Sequence, residues 1–356
     1  MNRREFLQGS MGSFASAAFA FSQGERWRTF DVTTRVEIQS PSGITRAWLP
    51  LAFGGGATFQ RVIKQSWRGN AATLRAIRDE RIGAGVLYAE WSASEPRPEV
   101  ELTLTLATRD RAVDWRDRTV RGEPTASLTR HLRPTRLLPL DGIVRDTARQ
   151  ITGAERDDVA KARAIYEWIV ENTARDPAVR GCGIGDIRRM LETRNLRGKC
   201  ADLNALFVGL ARAAGIPARD LYGLRVGPSR TFASLGRAGD VTTAQHCRAE
   251  FHSARHGWIP VDPADVRKVI LEEKPGLDLA SPDVQYARRQ FFGTWEMNWI
   301  AFNDARDVQL PHATGPALPF FMYPQAETGG RRLDSLDPQG FRYRITAREV
   351  GDREGN

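Results

Sequence analysis

"LRGKCADLNALFVGLARAAGIPAR", residues Leu196–Arg219, sets a single cysteine at the head of an apolar-striped run. Leu203, Leu206, Phe207, Leu210, Ala211 and Ala214 recur at intervals of three and four, which predicts a helix with one buried face. Gly215-Ile216-Pro217 stops it. Cys200 then stands at the helix N-terminus, where the dipole and nearby cations favour a thiolate. A nucleophile there also needs a histidine and a carboxylate from elsewhere in the chain.

The stretch "QHCRAEFHSARHGWIPVDP" (Gln245–Pro263) supplies both when read as a hairpin. A five-residue loop, His252–His256, sets Phe251 opposite Gly257. Counting outward pairs Glu250 with Trp258, Arg248 with Pro260 and His246 with Asp262. Alternation gathers His246, Arg248, Glu250, Trp258, Pro260 and Asp262 on one side. Cys247, Ala249, Phe251, Ile259 and Val261 fall on the other, apolar side, which is expected to face the core. Opposed residues have Cβ atoms about 4.5–5.5 Å apart, within reach of an imidazole–carboxylate hydrogen bond. Cys200 is thus the candidate nucleophile, His246 the base that takes its proton, and Asp262 the group that holds the ring. The Cys200 backbone N–H is a candidate oxyanion-hole donor.

The order "GKCADLNALFVGLARAAGIPAR", then His-x-Arg-x-Glu, then "GWIPVDP" resembles the transglutaminase-like superfamily, relatives of the papain-like thiol enzymes, over about residues 157–265. The family pattern is G-x-C-x-D/S, G-I-P-A-R, H-x-W-x-E and G-W-x-P-V-D-P. The resemblance implies Cys200 as nucleophile, His246 as general base and Asp262 as third member of the triad. This chain departs from it at Arg248, where the family carries tryptophan. On the hairpin count Arg248 shares the catalytic side, free to pair with Glu250 or to bind an acidic substrate group. It favours a thiolate but opposes an imidazolium.

Other residues near the motif have plainer readings. Asp202 is a first-turn carboxylate suited to the helix dipole, Glu250 a structural partner, and Trp258 a packing residue under the site. His252 and His256 invite a zinc site with Cys247 or Cys182, but the strand alternation turns Cys247 away and a solvated loop is preferred. Cys182 in "RGCGIGD" reads as a small loop residue, with a redox lock on Cys200 as the sharper alternative. No metal and no cofactor is expected.

The rest of the 356-residue chain places this unit in an α+β protein of two or three domains. "FDVTTRVEI" puts Phe30, Val32, Val36 and Ile38 on one strand face, and "EVELTLTLA" does the same with Val100, Leu102, Leu104 and Leu106. An N-terminal β-sandwich is expected over 25–136, a transglutaminase-like catalytic domain over 137–270, and a β-containing C-terminal extension packed on it over 271–356. "DDVAKARAIYEWIVENTARD" and "IGDIRRMLETRN" predict helices, and the chain beyond Ala264 reads as less regular, with short strands.

Paired Arg3-Arg4 before Phe6-Leu7, a mildly apolar run and an Ala18-Phe19-Ala20 pattern resemble a twin-arginine export signal over 1–20, implying a periplasmic or secreted protein. The net charge is +9, yet 52 Lys and Arg are scattered without blocks of like charge. That argues against a nucleic-acid partner. No stretch reaches the roughly 20 apolar residues of a membrane span. Three cysteines make no disulfide framework. The function expected is acyl transfer or hydrolysis at an amide of a peptide or protein, a cell-envelope peptide among them, through a thioester resolved by water or an amine. The competing reading is a non-catalytic module of the same fold that binds a peptide or envelope polymer.

Overall fold

A computed structural model of the chain describes residues 26–54, 57–79, 83–117 and 122–351. The export-signal reading of residues 1–20 lies outside them. Among the described residues no helix is long and apolar enough to cross a membrane.

Two sheets enclose the N-terminal core. Strand β1 (Arg28–Glu37) pairs antiparallel with β6 (Glu99–Thr108), which pairs with β3 (Gln60–Gly69). The second sheet holds β2 (Thr45–Pro50), β4 (Thr73–Asp79) and β5 (Ala84–Trp91). The two-residue alternation decides what meets between them: Phe30, Val32, Val36, Leu102, Leu104 and Leu106 are buried against Leu49, Leu87 and Trp91.

The second sheet does not stop there. It continues through β7 (Ala218–Arg225), β8 (Gln245–Ser253), β9 (Gly257–Val261) and β10 (Trp299–Asn303). Strand β10 pairs with β7 on one side and touches β5 through Asn303 opposite Ala84. Strand β11 (Gln325–Thr328) pairs with β2, and β12 (Arg342–Val350) pairs with β1 along its length. Between residues 271 and 351, Val284, Ala287, Phe291, Phe292, Met322 and Tyr323 pack in the core around the helix Cys200–Ala213, and β11 and β12 also complete both sheets of the N-terminal region. Three sequence segments share one fabric.

On one face of β7 and β8 lie the helices α1 (Gly142–Thr152), α2 (Asp158–Asn172), α3 (Ile187–Thr193) and α4 (Cys200–Ala213). Asp157 caps α2 by accepting the Val159 and Ala160 N–H groups. Helix α4 is buried all round from Cys200 to Arg212, more than the single stripe expected, because α1, α2 and β8 enclose it. It ends as the glycine signal requires, with Gly215 at φ 84°.

Two further helices, α5 (Pro263–Glu272) and α6 (Pro282–Gln290), occupy chain expected to be irregular. Asp262 followed by Pro263 is a cap-then-proline start that the strand reading of "GWIPVD" obscured.

Candidate active site

Cys200 is the first residue of α4, and a buried carboxylate fixes that end of the helix. Asp202 Oδ2 accepts the Lys199 N–H at 3.0 Å, while Oδ1 accepts those of Ile184 at 3.1 Å and Gly185 at 3.0 Å. Asp202 thereby ties the loop before α3 to the head of α4. Gly183 lets that loop pass so close: at φ 87°, a Cβ would lie 1.9 Å from Asp202 Oδ2.

The same loop brings in Cys182, whose carbonyl accepts the Ala201 N–H at 2.9 Å and whose thiol donates to the Gln245 carbonyl at 3.3 Å. The Cys200 thiol, in a residue only 4% exposed, stands near enough to the Cys182 and Cys247 thiols and to His246 for all three to bear on its charge. All three cysteines are free and buried.

His246 sits on β8. Its Nε2 lies 2.7 Å from Asp262 Oδ2 and 3.5 Å from Asp265 Oδ1. With Nε2 engaged, Nδ1 is the ring nitrogen available to Cys200. Asp262 caps α5, its Oδ1 accepting the Asp265 N–H at 3.1 Å and an Asn204 amide N–H at 3.3 Å. Asn204 also donates to the Cys247 carbonyl at 2.8 Å, fastening α4 to β8. Beneath them Arg225 donates to Asp265 Oδ1 at 2.5 Å and to the Leu235 carbonyl at 2.6 Å.

The electrostatics follow from these contacts. The neighbouring Cys182 and Cys247 thiols, and then His246, hold the Cys200 thiol well below the ordinary cysteine range despite its burial. Burial and the Arg225 charge push His246 down, but Asp265 and Asp262 more than offset them, and the ring ends above its usual value. Burial and the neighbouring Asp265 raise Asp262, whereas Arg225 and His246 hold Asp265 low. A thiol pushed down beside an imidazole pushed up is the arrangement of a thiolate–imidazolium pair. His246, Asp262 and Asp265 also set one ligand atom each within 4.8 Å of one another, a donor set a divalent cation would accept. Here Arg225 and His246 already pair those carboxylates.

The hairpin differs from the expected register by two residues. Its loop is Ala254–His256, with Ser253 opposite Gly257, Glu250 opposite Pro260 and Ala249 opposite Val261. A shift of two preserves every face assignment but moves His246 out of line with Asp262. On this register Arg248 is level with Asp262, its Nε 3.8 Å from Oδ2.

Arg248 does not pair with Glu250. It is 3% exposed, donates to the Glu296 carbonyl at 2.9 Å, and lies over Trp299 and Trp295 at 4.9 and 5.7 Å. Burial first, then Arg225, brings its guanidinium down to about 10. It fills a tryptophan-lined space and does not line the cavity at Cys200. Glu250 instead binds Arg111 and Arg219. Trp258, expected under the site, stacks beneath Arg219 at 4.2 Å and against His131 and His252. His252 is a buried strand residue against Trp258, and His256 meets Trp115. Neither histidine approaches Cys247 or Cys182 to form the zinc set considered from the sequence.

Asp265, Arg225 and Asn204 escaped the sequence reading. Each carried a signal: Asp265 falls one helical turn after Asp262, while Arg225 and Asn204 are polar residues in otherwise apolar runs.

Cys200 and His246 open on a cavity of about 380 Å³. Its walls include Arg175, Lys199, Arg237 and Lys268, with Glu272 as the carboxylate among them.

Comparison with known proteins bears on the family and the fold. The family profile of the transglutaminase-like superfamily matches residues 145–263. A Haemophilus influenzae protein of uncharacterized function is 36% identical over 340 residues, 91% of this chain and 90% of the relative. Among solved structures, a Cytophaga hutchinsonii protein provisionally assigned as a cysteine protease has a TM-score of 0.56 at 15% identity, over 93% of both chains. The periplasmic domain of TgpA from Pseudomonas aeruginosa, bound to ethylmercury, covers 67% of this chain and 74% of its own at 18% identity, with a TM-score of 0.35.

Proposed function

The chain belongs to the transglutaminase-like superfamily, and on that premise we propose that it is a thiol enzyme acting at an amide bond of a peptide or protein through Cys200, His246 and Asp262. The observation that carries this reading is His246, held at 2.7 Å by Asp262, on the wall of the cavity that Cys200 also lines.

The Cys200 thiolate attacks the amide carbonyl carbon, and the charge moves to the carbonyl oxygen. The Cys200 backbone N–H, at the positive end of α4, offers that oxyanion one donor. His246 returns its proton to the leaving amine, and a thioester remains on Cys200. Asp262 keeps the ring oriented and stabilises its charged form.

Water is the acceptor we favour for the second step. A lysine side chain approaching Cys200 as an ammonium would pass Lys199, Lys268, Arg175 and Arg237, and like charge disfavours it. Water meets no such barrier. The paired Arg3-Arg4 support an enzyme that works outside the cytoplasm.

The test is to incubate the protein with N-blocked peptide amides and quench in hydroxylamine. In a portion quenched in acid instead, mass spectrometry should detect an acyl adduct on Cys200; the hydroxylamine portion should hold the hydroxamate, and Cys200→Ala should give neither. Turnover that survives in Cys200→Ala would refute the assignment.

A further inference from the structure

Two compartments adjoin each other beside Cys200, across Cys182, Lys199 and Gln245. The first is the cationic cavity described above. The second, of about 470 Å³, is walled by Tyr323, Leu336, Pro338, Phe341 and Tyr343 from the C-terminal segment. Cys182, Lys199 and Gln245 line both.

The cations of the first compartment are unevenly neutralised. Glu272 pairs with Arg175 and lies 3.5 Å from Lys268, and Arg225 is held by Asp265. Lys199 has no ion-pair partner among the described residues. Arg237 donates to the Thr243 hydroxyl at 2.6 Å and meets no carboxylate among them. Gln245, buried beside these groups, has an amide Nε2 with no hydrogen-bond acceptor. Unpaired cations and an orphaned donor around one void describe a site built for an anionic oxygen group.

We propose that this compartment is a carboxylate subsite. Building on the reading of Cys200 as nucleophile, the substrate is a peptide with a carboxylate near the scissile amide and an apolar residue on the other side. Lys199 and Arg237 bind the carboxylate, and Gln245 donates to it. A sphere of about 380 Å³ is about 9 Å across, room for roughly two or three extended residues at ~3.4 Å each. The carboxylate therefore belongs to a residue adjoining the scissile bond or the next one along. Tyr323, Leu336 and Phe341 would receive the apolar side chain.

Two alkylating reagents of nearly equal size test the charge preference: anionic iodoacetate and neutral iodoacetamide. Their rate ratio at Cys200, at one fixed pH, cancels the fraction of thiolate. It therefore stands or falls separately from the pH profile that tests the nucleophile reading. Two cations lining the same cavity as the thiol predict a ratio about tenfold above that of a free thiol in the same buffer, falling as salt is raised. Lys199→Gln and Arg237→Gln should each lower it, the exposed Arg237 position being the safer for folding.

Protection of Cys200 from iodoacetamide then identifies the carboxylate's origin. Acetyl-glutamate amide offers a side-chain carboxylate, acetyl-glutamine an α-carboxylate, and acetyl-glutamine amide none. One of the two anions should protect at concentrations at least about tenfold below the neutral compound. A reagent ratio equal to that of the free thiol, or unchanged in both variants, overturns the proposal. So does equal protection by all three compounds, or protection by neither anion.

Discussion

Asp262 Oδ2 lies 2.7 Å from His246 Nε2 although the two residues are not partners across the hairpin. Strand β9 ends at Val261, and Asp262 reaches His246 from the head of α5. One carboxylate caps a helix and orients an imidazole.

Those roles separate under mutation. Asp262→Asn retains a cap acceptor and should change stability by no more than about 1 kcal/mol, while Asp262→Ala also loses the cap, about 0.5–2 kcal/mol. Both should slow acylation of Cys200 by about 10²-fold or more, as removal of a base's orienter does. Single-turnover acylation and thermal unfolding on the same two variants check this.

Cys182 stands beside Cys200 and, with Cys247 and His246, holds its thiol low. In Cys182→Ala the Cys200 titration should move to higher pH, with the fold retained. A titration that stays in place would show that Cys182 contributes nothing beyond what His246 and Cys247 supply. Alkylation rate against pH reads the answer directly.

Glu250 is a stability residue. Burial raises its carboxyl, but Arg111 and Arg219 more than offset that and hold it below the usual range. A depressed carboxylate contributes stability that is full above its unfolded pKa, ~4.3, and is lost as pH falls through the lower folded value. Glu250→Gln should cost about 3 kcal/mol at neutral pH, because Arg111 loses its carboxylate and Arg219 keeps Asp304 alone. The gap from the parent protein should narrow below about pH 4. Denaturant unfolding at several pH values measures it.

Arg248 separates packing from substrate contact. Arg248→Gln should lose about 1–3 kcal/mol of stability, because the Glu296 carbonyl loses its donor. KM should stay within about twofold, because Arg248 does not touch the cavity. A large rise in KM with unchanged stability would restore the substrate-binding role.

How far the chain could be read depended on how local the determinant was. The period of three and four around Leu203 and Leu210 gave α4, and the two-residue period gave β1 and β6. Strand alternation put His246 and Asp262 on one side, and an error of two in loop length left that intact. Where the determinant was distant, the reading failed. The insertion of Trp299–Asn303 beside β7, and the pairing of Arg342–Val350 with β1, depend on partners far away in the chain. Arg248 looked free to reach Glu250 because nothing local reveals Arg111 and Arg219 on that carboxylate. The clustering of Cys182 and Cys247 on Cys200 likewise needed the loop that Asp202 anchors.

The central claim is that His246 holds Cys200 as a thiolate. The measurement that tests it most directly is the rate of Cys200 alkylation by iodoacetamide against pH, in the parent protein and in His246→Ala. The account predicts fast labelling well below the free-cysteine pKa of ~8.5, lost in the variant. Labelling that rises only near ~8.5, and equally in both proteins, would contradict it.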